Sequence, residues 1–297
     1  MTGTERGFLL LSSQLGDPER KPLSTAAMRQ LAGRVKSMEK PVENRDLQIR
    51  DLQALGYNQQ MAQHILNLLG EEELLAYYLR KASHAGCVPL ARISEEYPSV
   101  LRARLGDESP FVLWAKGNIS ILKMPMVALV GSRDIRMENK AFAAEVGMQA
   151  AKQGYALVSG NARGADRIAQ NACLDHGGCV VSVVADMLTE CKPCERVLYL
   201  SEEDFDAEFS AQRALSRNRV IHALGKKTFV AQCSFGSGGT WDGTVKNLKH
   251  GWSPVFCFQD GSDATVQLVQ MGAQEVSAEG LHNLNSLVSP FVAFFDQ

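Results

Sequence analysis

Residues 126–178, MVALVGSRDIRMENKAFAAEVGMQAAKQGYALVSGNARGADRIAQNACLDHGG, read as strand, turn, helix, strand, turn and helix. Met126–Val130 is an uninterrupted apolar run of the length expected of a strand buried on both faces. Gly131-Ser132-Arg133 breaks it, and Phe142, Val146 and Ala150 then recur four apart, the spacing of a helix face. Gly154 stands where a left-handed residue closes a helix, and Tyr155–Val158 begins a second strand that Ser159-Gly160 ends. From Ala165 the apolar positions Ala165, Ile168, Ala169, Ala172 and Cys173 form a second helical stripe. Gly177-Gly178 stops it, and Cys179–Val184 is a third buried strand. Two consecutive crossovers of this kind predict a doubly wound, mainly parallel α/β sheet.

In such sheets ligands sit beyond the carboxyl ends of the strands, where helix N-termini present free N–H groups. The first turn offers Gly131, Ser132 and Arg133: room for backbone approach, a hydroxyl and a planar cation. The second offers Ser159, Gly160, Asn161, Ala162, Arg163 and Gly164, with Asp166 placed to cap a helix or order an arginine. The glycine spacing is not Gly-x-Gly-x-x-Gly and no acid closes the second strand, so an ordinary dinucleotide fingerprint is absent. Each turn alone also reads as a tight turn with a solvated arginine. Two anion-ready turns on consecutive units favour a phosphate site.

Outward from this stretch, the N-terminal residues 1–84 read as a smaller, all-helical domain. Thr25–Ser37 carries Met28, Leu31, Ala32 and Val35 on one side; a polar stretch, Met38–Arg50, follows. Asp51–Leu69 resembles two short helices around Gly56, as in a helix-hairpin or sterile-alpha-like module, and Glu71–His84 is a further helix. Residues 85–278 form the sheet domain and 279–297 a tail. Gly86–Leu90 and Phe111–Lys116 read as entry strands, Val197–Leu200 as a short strand, Thr228–Gln232 as the fourth core strand and Val255–Phe258 as the fifth. Asp263 onward suits a closing helix with a short strand at Gln274–Val276, and Phe291–Phe295 is an apolar patch for docking or dimerisation.

Charge is local rather than global. The net charge of −2 gives no bulk attraction to nucleic acid, so such binding requires a patch. Residues 201–208 hold five acids and no base, whereas 213–250 hold seven bases (Arg213, Arg217, Arg219, Lys226, Lys227, Lys246, Lys249) against the single acid Asp242. Arg213 and Arg217 fall i, i+4 on one helical face. Cys233–Thr240 is a glycine-rich turn whose Ser237, Gly238, Gly239 and Thr240 open a helix through Leu248, a backbone nest suited to phosphate oxygens. Seven irregularly spaced cysteines do not form a secreted disulfide framework. Cys191 and Cys194 are a lone CxxC without a second metal-ligand pair, and Cys173 and Cys179 read as core. No apolar run approaches a membrane span, and Phe8–Leu11 is too short for a leader peptide, so a cytoplasmic protein is expected.

Several motifs in consistent order now carry a resemblance. Tyr97-Pro98-Ser99-Val100-Leu101 precedes Pro110-Phe111-Val112-Leu113-Trp114-Ala115-Lys116-Gly117-Asn118; then come Val130-Gly131-Ser132-Arg133, the Ser159–Asp166 turn and Arg217-Asn218-Arg219-Val220-Ile221. Over roughly residues 75–275 this resembles the DprA/Smf DNA-processing family. The resemblance implies a Rossmann-like fold, a non-enzymatic role protecting single-stranded DNA, a homodimer, and help in loading the RecA recombinase. On that reading Arg133, Arg163, Arg217, Arg219, Lys226 and Lys227 make a basic funnel for phosphates, Asn218 also contacts the nucleic acid, Phe235 or Trp241 stacks on bases, and neither cofactor nor metal is expected. Arg219 also has an internal alternative in Glu202 or Asp166, and Trp241 in the core. The chain departs from the family at Ile135-Arg136-Met137-Glu138, at Gln170 where a His is common, and at Ala214 where a Phe precedes Arg-Asn-Arg. On this reading it is expected to be a member lacking the winged helix that many members carry.

Two other classes compete. Phosphoribohydrolases of related fold carry Gly-Gly-x-Gly-Thr-x-x-Glu, and Phe235–Gly243 aligns with that turn, but Gly243 stands at the Glu position. Hydrolysis then lacks its acid, while a nucleotide-binding sensor stays open. The third class is an interaction module that recognises a protein through the N-terminal helices.

Overall fold

A computed structural model of the chain describes residues 1–37 and 47–288. Most of the polar stretch expected at 38–50, and the Phe291–Phe295 patch, lie outside the described residues. The chain opens with α1 (Gly3–Ser12), α2 (Thr25–Lys36), α3 (Ile49–Ala54), α4 (Gln59–Gly70) and α5 (Glu72–His84). There follow β1 (Cys87–Ala91), α6 (Ser99–Leu105) and β2 (Val112–Gly117). The winding then proceeds through β3 (Met126–Val130), α7 (Met137–Lys152), β4 (Ala156–Ser159), α8 (Ala165–Asp175), β5 (Val180–Val183) and β6 (Val197–Ser201). It is completed by α9 (Ala211–Ser216), α10 (Asn218–Leu224), β7 (Thr228–Val230), α11 (Gly239–His250), β8 (Val255–Phe258), α12 (Asp263–Gln270) and β9 (Gln274–Val276).

The nine strands form one sheet in the order β1-β2-β6-β5-β4-β3-β7-β8-β9. Pairing from β6 to β9 is parallel throughout, and β1 and β2 extend the β6 edge antiparallel. This is the Rossmann-like, doubly wound α/β sheet expected from the sequence. All five residues of β3 are buried, and alternation divides them between two cores. Ala128 and Val130 join a cluster with Leu101 of α6 and Val220, Ile221 and Leu224 of α10. Val127 and Leu129 join another with Phe142 and Val146 of α7 and Ala169 and Cys173 of α8. Gly147 allows α7 and α8 to touch, because a Cβ there would lie 2.1 Å from the Ala169 carbonyl oxygen.

Winding runs one way from β3 to β6 and reverses to β7, so β3 and β7 are neighbours with different destinations. Their carboxyl ends diverge into two separate loops, which is where a doubly wound sheet leaves a crevice. The amide of Ser132 donates to Gln232 O at 2.9 Å, tying these loops together just beyond the strands.

The N-terminal helices are not detached from the sheet. Leu9 and Leu10 of α1 and Leu75 and Tyr78 of α5 share one cluster with Val112, Trp114, Val184 and Phe205. A second cluster joins α1, α2, α3 and α4 around Leu23, Leu52 and Ile65, with Phe111 beside it. Helix α1 begins with a capping box between Thr2 and Glu5, but its apolar residues show no clear periodicity, so the sequence pattern does not reveal it. The short α6, starting directly after Pro98, is equally silent in the pattern.

Candidate functional site

The first two turns are locked into each other. Gly131 faces Ala165, whose Cβ would stand 2.4 Å from a Cβ at 131. Gly164 has φ of 91°, and a side chain there would meet Ser132 O and Arg133 O at 2.5 Å. The amide of Ala165 donates to Ser132 O at 3.2 Å. Asp166 is buried and does not cap α8. It turns back to accept the amides of Gly160 at 3.0 Å and Ala162 at 3.3 Å. Burial raises its pKa, against the opposing pull of Arg217.

Arg217 lies at the junction of α9 and α10, only 7% exposed. Its guanidinium donates to Gly160 O at 3.0 Å and to Asn218 Oδ1 at 3.0 Å. Asn218 in turn donates to Gly239 O at 2.9 Å. One arginine and one asparagine therefore fasten the second turn to the glycine-rich turn. Gly160 makes room for this contact, since a Cβ there would fall 1.8 Å from Arg217 Nη1 and push the guanidinium aside. Burial lowers the Arg217 pKa, Asp166 opposes that shift, and its Nε has no partner.

The structure separates the expected basic residues into three sets. Arg133 and Arg163 are exposed at the crevice, and no hydrogen bond or ion pair holds either guanidinium among the described residues. Arg213, Arg217 and Arg219 are consumed internally. Arg213 donates to Ala207 O at 2.7 Å, to Glu208 O and to Ser201 Oγ at 3.2 Å. Arg219 pairs with Glu202 at 2.7 Å and bonds Ser216 Oγ at 2.7 Å, the internal alternative read from the sequence. Lys226 and Lys227 are elsewhere. The Lys226 amide donates to Met126 O at 2.7 Å, at the amino end of β3, and Lys227 Nζ donates to Leu284 O. Residues preceding a parallel strand lie a full strand length from its carboxyl end, so adjacency in the charge run placed them wrongly.

Ser159 is also withdrawn: its buried hydroxyl accepts from Gln170 Nε2 at 2.6 Å, and the same amide donates to Ser182 Oγ at 2.8 Å. Gln170, unusual against the family motif, thus bridges two neighbouring strands from beneath. The departure at Arg136 has a partner too, since its guanidinium bonds the buried carboxylate of Asp260.

What remains is a cleft of about 500 Å³ between the first turn, α9 and the glycine-rich turn. Gly131, Ser132 and Arg133 form one wall, and Ser237, Gly238, Gly239 and Thr240 the other. Gly238, with φ of 86°, leads into α11 with no side-chain cap, so the first amides of that helix are left open. A second space of about 430 Å³ is lined by Asn161, Arg163 and Asp186 and meets the first at Arg133, Ala162 and Phe209. Asn161 is left-handed, with φ of 59°, a conformation asparagine tolerates better than most residues.

Apolar groups at the crevice are not those singled out from the sequence. Phe209, 53% exposed, lines both spaces, and Leu215, 50% exposed, lines the first. The only signal for Phe209 is an aromatic ending an acidic run beside a strand end. Phe235 is exposed on the glycine-rich turn, edge-on at 5.2 Å to Trp241, which is half-buried against the sheet core.

Burial pushes the Cys233 thiol up to about 12 and the His222 imidazole down to about 3, leaving both neutral. At Gly243 an added Cβ would stand 3.2 Å from Asn218 Cβ and 3.3 Å from His222 Nε2, so the glutamate of the phosphoribohydrolase turn would fit there only if these neighbours gave by a few tenths of an ångström. Asp242 points into solvent. Cys191 and Cys194 are free thiols, and burial raises Cys191 to about 11. Among the described residues no group of three His, Cys, Asp or Glu side chains is arranged to hold a metal ion, and no helix is long and apolar enough to cross a membrane.

The fold has counterparts among known proteins. The family model described as DNA recombination-mediator protein A matches residues 89–285, and the chain belongs to that family. It is 29% identical over 184 residues to the DNA processing protein DprA of Streptococcus pneumoniae, an alignment spanning 58% of this chain and 65% of that one. It is 26% identical over 204 residues to DprA of Bacillus subtilis, covering 63% of this chain and 68% of the relative. The X-ray structure of the pneumococcal protein superposes with a TM-score of 0.72 at 24% identity, over 95% of this chain and 97% of that one, which establishes the shared fold. DNA processing protein A of Helicobacter pylori, solved for its single-stranded DNA binding mode, superposes with a TM-score of 0.54 at 26% identity, covering 65% of this chain and 92% of that one.

Proposed function

We propose that this member of the recombination-mediator family is a non-enzymatic binder of single-stranded DNA acting in DNA processing, with the strand lying along the crevice from Arg163 past Arg133 to the start of α11. The observation that carries the reading is the pair of unengaged guanidinium groups along one continuous crevice, with exposed Phe209 between its two arms. Phosphates meet the cations and the open amides, while an unstacked base covers the ring. A duplex keeps its bases stacked and gives Phe209 nothing to cover. Family membership and the subject of the Helicobacter structure support the choice of ligand. Self-association and delivery of the strand to a recombinase belong to the same reading.

The test is fluorescence anisotropy of a labelled single-stranded oligonucleotide, with duplex competitor, across salt concentrations. Arg133→Ala and Arg163→Ala are each expected to weaken binding and to reduce the salt slope by about 0.7 for each phosphate no longer neutralised. Phe209→Ala should weaken binding without altering the slope. The oligonucleotide should be recovered uncut. Unchanged affinity in the Arg133/Arg163 double variant would sink the proposed surface.

The uncapped start of α11 favours one alternative, a small phosphate ligand such as a nucleotide. That ligand would raise the melting temperature at millimolar concentration by mass action, and a flat response across a nucleotide panel removes it.

A further inference from the structure

The five acids of residues 202–208 suggest a solvated, repulsive loop, but the two aspartates are fastened. Asp204 accepts from Ser13 Oγ at 2.6 Å and from the Gln14 amide at 2.9 Å. Asp206 accepts from the Tyr78 hydroxyl and from Lys81 Nζ, the latter at 2.8 Å. Between them Phe205 is fully buried against Tyr78 at 4.8 Å and Trp114 at 5.0 Å. The receiving turn is itself unusual. Leu15 and Gly16 are both left-handed, with φ of 54° and 77°. A left-handed leucine is strained, and burying its side chain among the residues of α1 and α5 offsets that strain.

The same loop continues into the crevice. The carbonyls of Ala207 and Glu208 are gripped by Arg213, Phe209 follows at the meeting of the two arms, and Ser210 caps α9 through the Arg213 amide at 3.1 Å. Ala211, Ala214 and Leu215 of that helix form crevice wall. Residues 202–217 are thus a strap, held at one end by the N-terminal helices and forming the binding wall at the other. No residue of 1–84 among those described lines either arm.

We infer that Asp204 and Asp206 are positioning residues for the crevice: by fastening the strap to the Ser13–Gly16 turn and to α5 they hold Phe209 at the junction of the arms, so the N-terminal helices set affinity without touching the strand. This rests on the single-strand reading above. A loop that acted only by its charge would behave differently. Removing a negative charge would tighten binding, removing a positive one would weaken it, and a neutral change would do nothing.

Three variants separate the cases in the full chain, measured by oligonucleotide anisotropy: Asp206→Asn, Lys81→Ala and Tyr78→Phe, each with and without Phe209→Ala. Fastening predicts that all three weaken binding, about three- to tenfold, with an unchanged salt slope, and that the effect disappears in the Phe209→Ala background because the residues act through that ring. Lys81 is half exposed and Tyr78→Phe removes a single oxygen, so these two carry the test if Asp206→Asn folds poorly. Tighter binding by Asp206→Asn, silence of all three, or effects that simply add to Phe209→Ala would overturn the inference. Arg133→Ala runs alongside: if it weakens binding while the three are silent, only the fastening fails. If the Arg133/Arg163 double variant is silent too, the proposed surface falls and the inference with it.

Discussion

Arg217 and Arg133 line the same cleft and do opposite work. Arg217 is desolvated, its charge shared among a carbonyl, an amide oxygen and the nearby Asp166. Arg133 is exposed and unengaged. Removing a buried charge partner strands the groups it served, whereas removing a surface cation leaves the fold intact. Arg217→Ala is therefore expected to lower unfolding stability by about 3–5 kcal/mol, read from the urea midpoint at constant m. Arg133→Ala should cost under about 0.5 kcal/mol. Equal stability of the two variants would show that Arg217 is not the clasp between the two turns. Sequence pattern identifies both arginines but cannot rank them, because motif position carries no burial. The distinction depends on Gly160, whose missing side chain admits the guanidinium.

Among the elements, the most legible were those with a pure signal. Met126–Val130 has the same limits in sequence and structure, because a strand covered on both sides shows an unbroken apolar run. Strand β4 is shifted by one residue, and β7 stops at Val230 because the chain beyond it bends towards the first turn. Charge runs were the least legible, since Arg213, Arg219, Lys226 and Lys227 depend on which end of a parallel strand they occupy. One buried polar chain leaves no trace in the pattern. His222 of α10 bonds Asn247 of α11, Asn247 bonds Ser253, and Ser253 bonds Thr228 of β7, joining two helices to the sheet. Burial holds the His222 pKa near 3, below the usual value of 6.5, so the folded state binds its proton later than the unfolded chain. Its contribution is complete above pH 6.5 and is lost as pH falls from there towards about 3. Asp166, Glu203 and Asp204, raised by burial, act with the opposite sign, gaining stability as pH falls through their folded values. Urea midpoints of wild type and His222→Gln between pH 7 and 4 isolate the histidine. The wild type should lose more stability on acidification, and parallel curves would refute the assignment.

At the scale of the whole molecule, the helical segment and the sheet share an aromatic seam of Tyr78, Trp114 and Phe205. A polypeptide beginning at Ala85 would expose Trp114 and Phe205 and leave Asp204 without its partners at Ser13 and Gln14. It is expected to associate or to melt at least several degrees lower, by size-exclusion chromatography and thermal unfolding, because burial of such rings contributes about 1.5–3 kcal/mol each. A monomer with the full-length melting temperature would mean that the seam adds nothing.

The way the arginines are apportioned has a kinetic meaning. With Arg213, Arg217 and Arg219 committed to the architecture, each described crevice offers a strand two free guanidinium groups. Two neutralised phosphates displace few counterions, giving a salt slope of about 1.4 per copy. Under the single-strand reading one molecule would let go readily, and lasting coverage of a strand would arise from many copies side by side, each raising the local concentration seen by the next. A coat assembled this way can be peeled back one unit at a time.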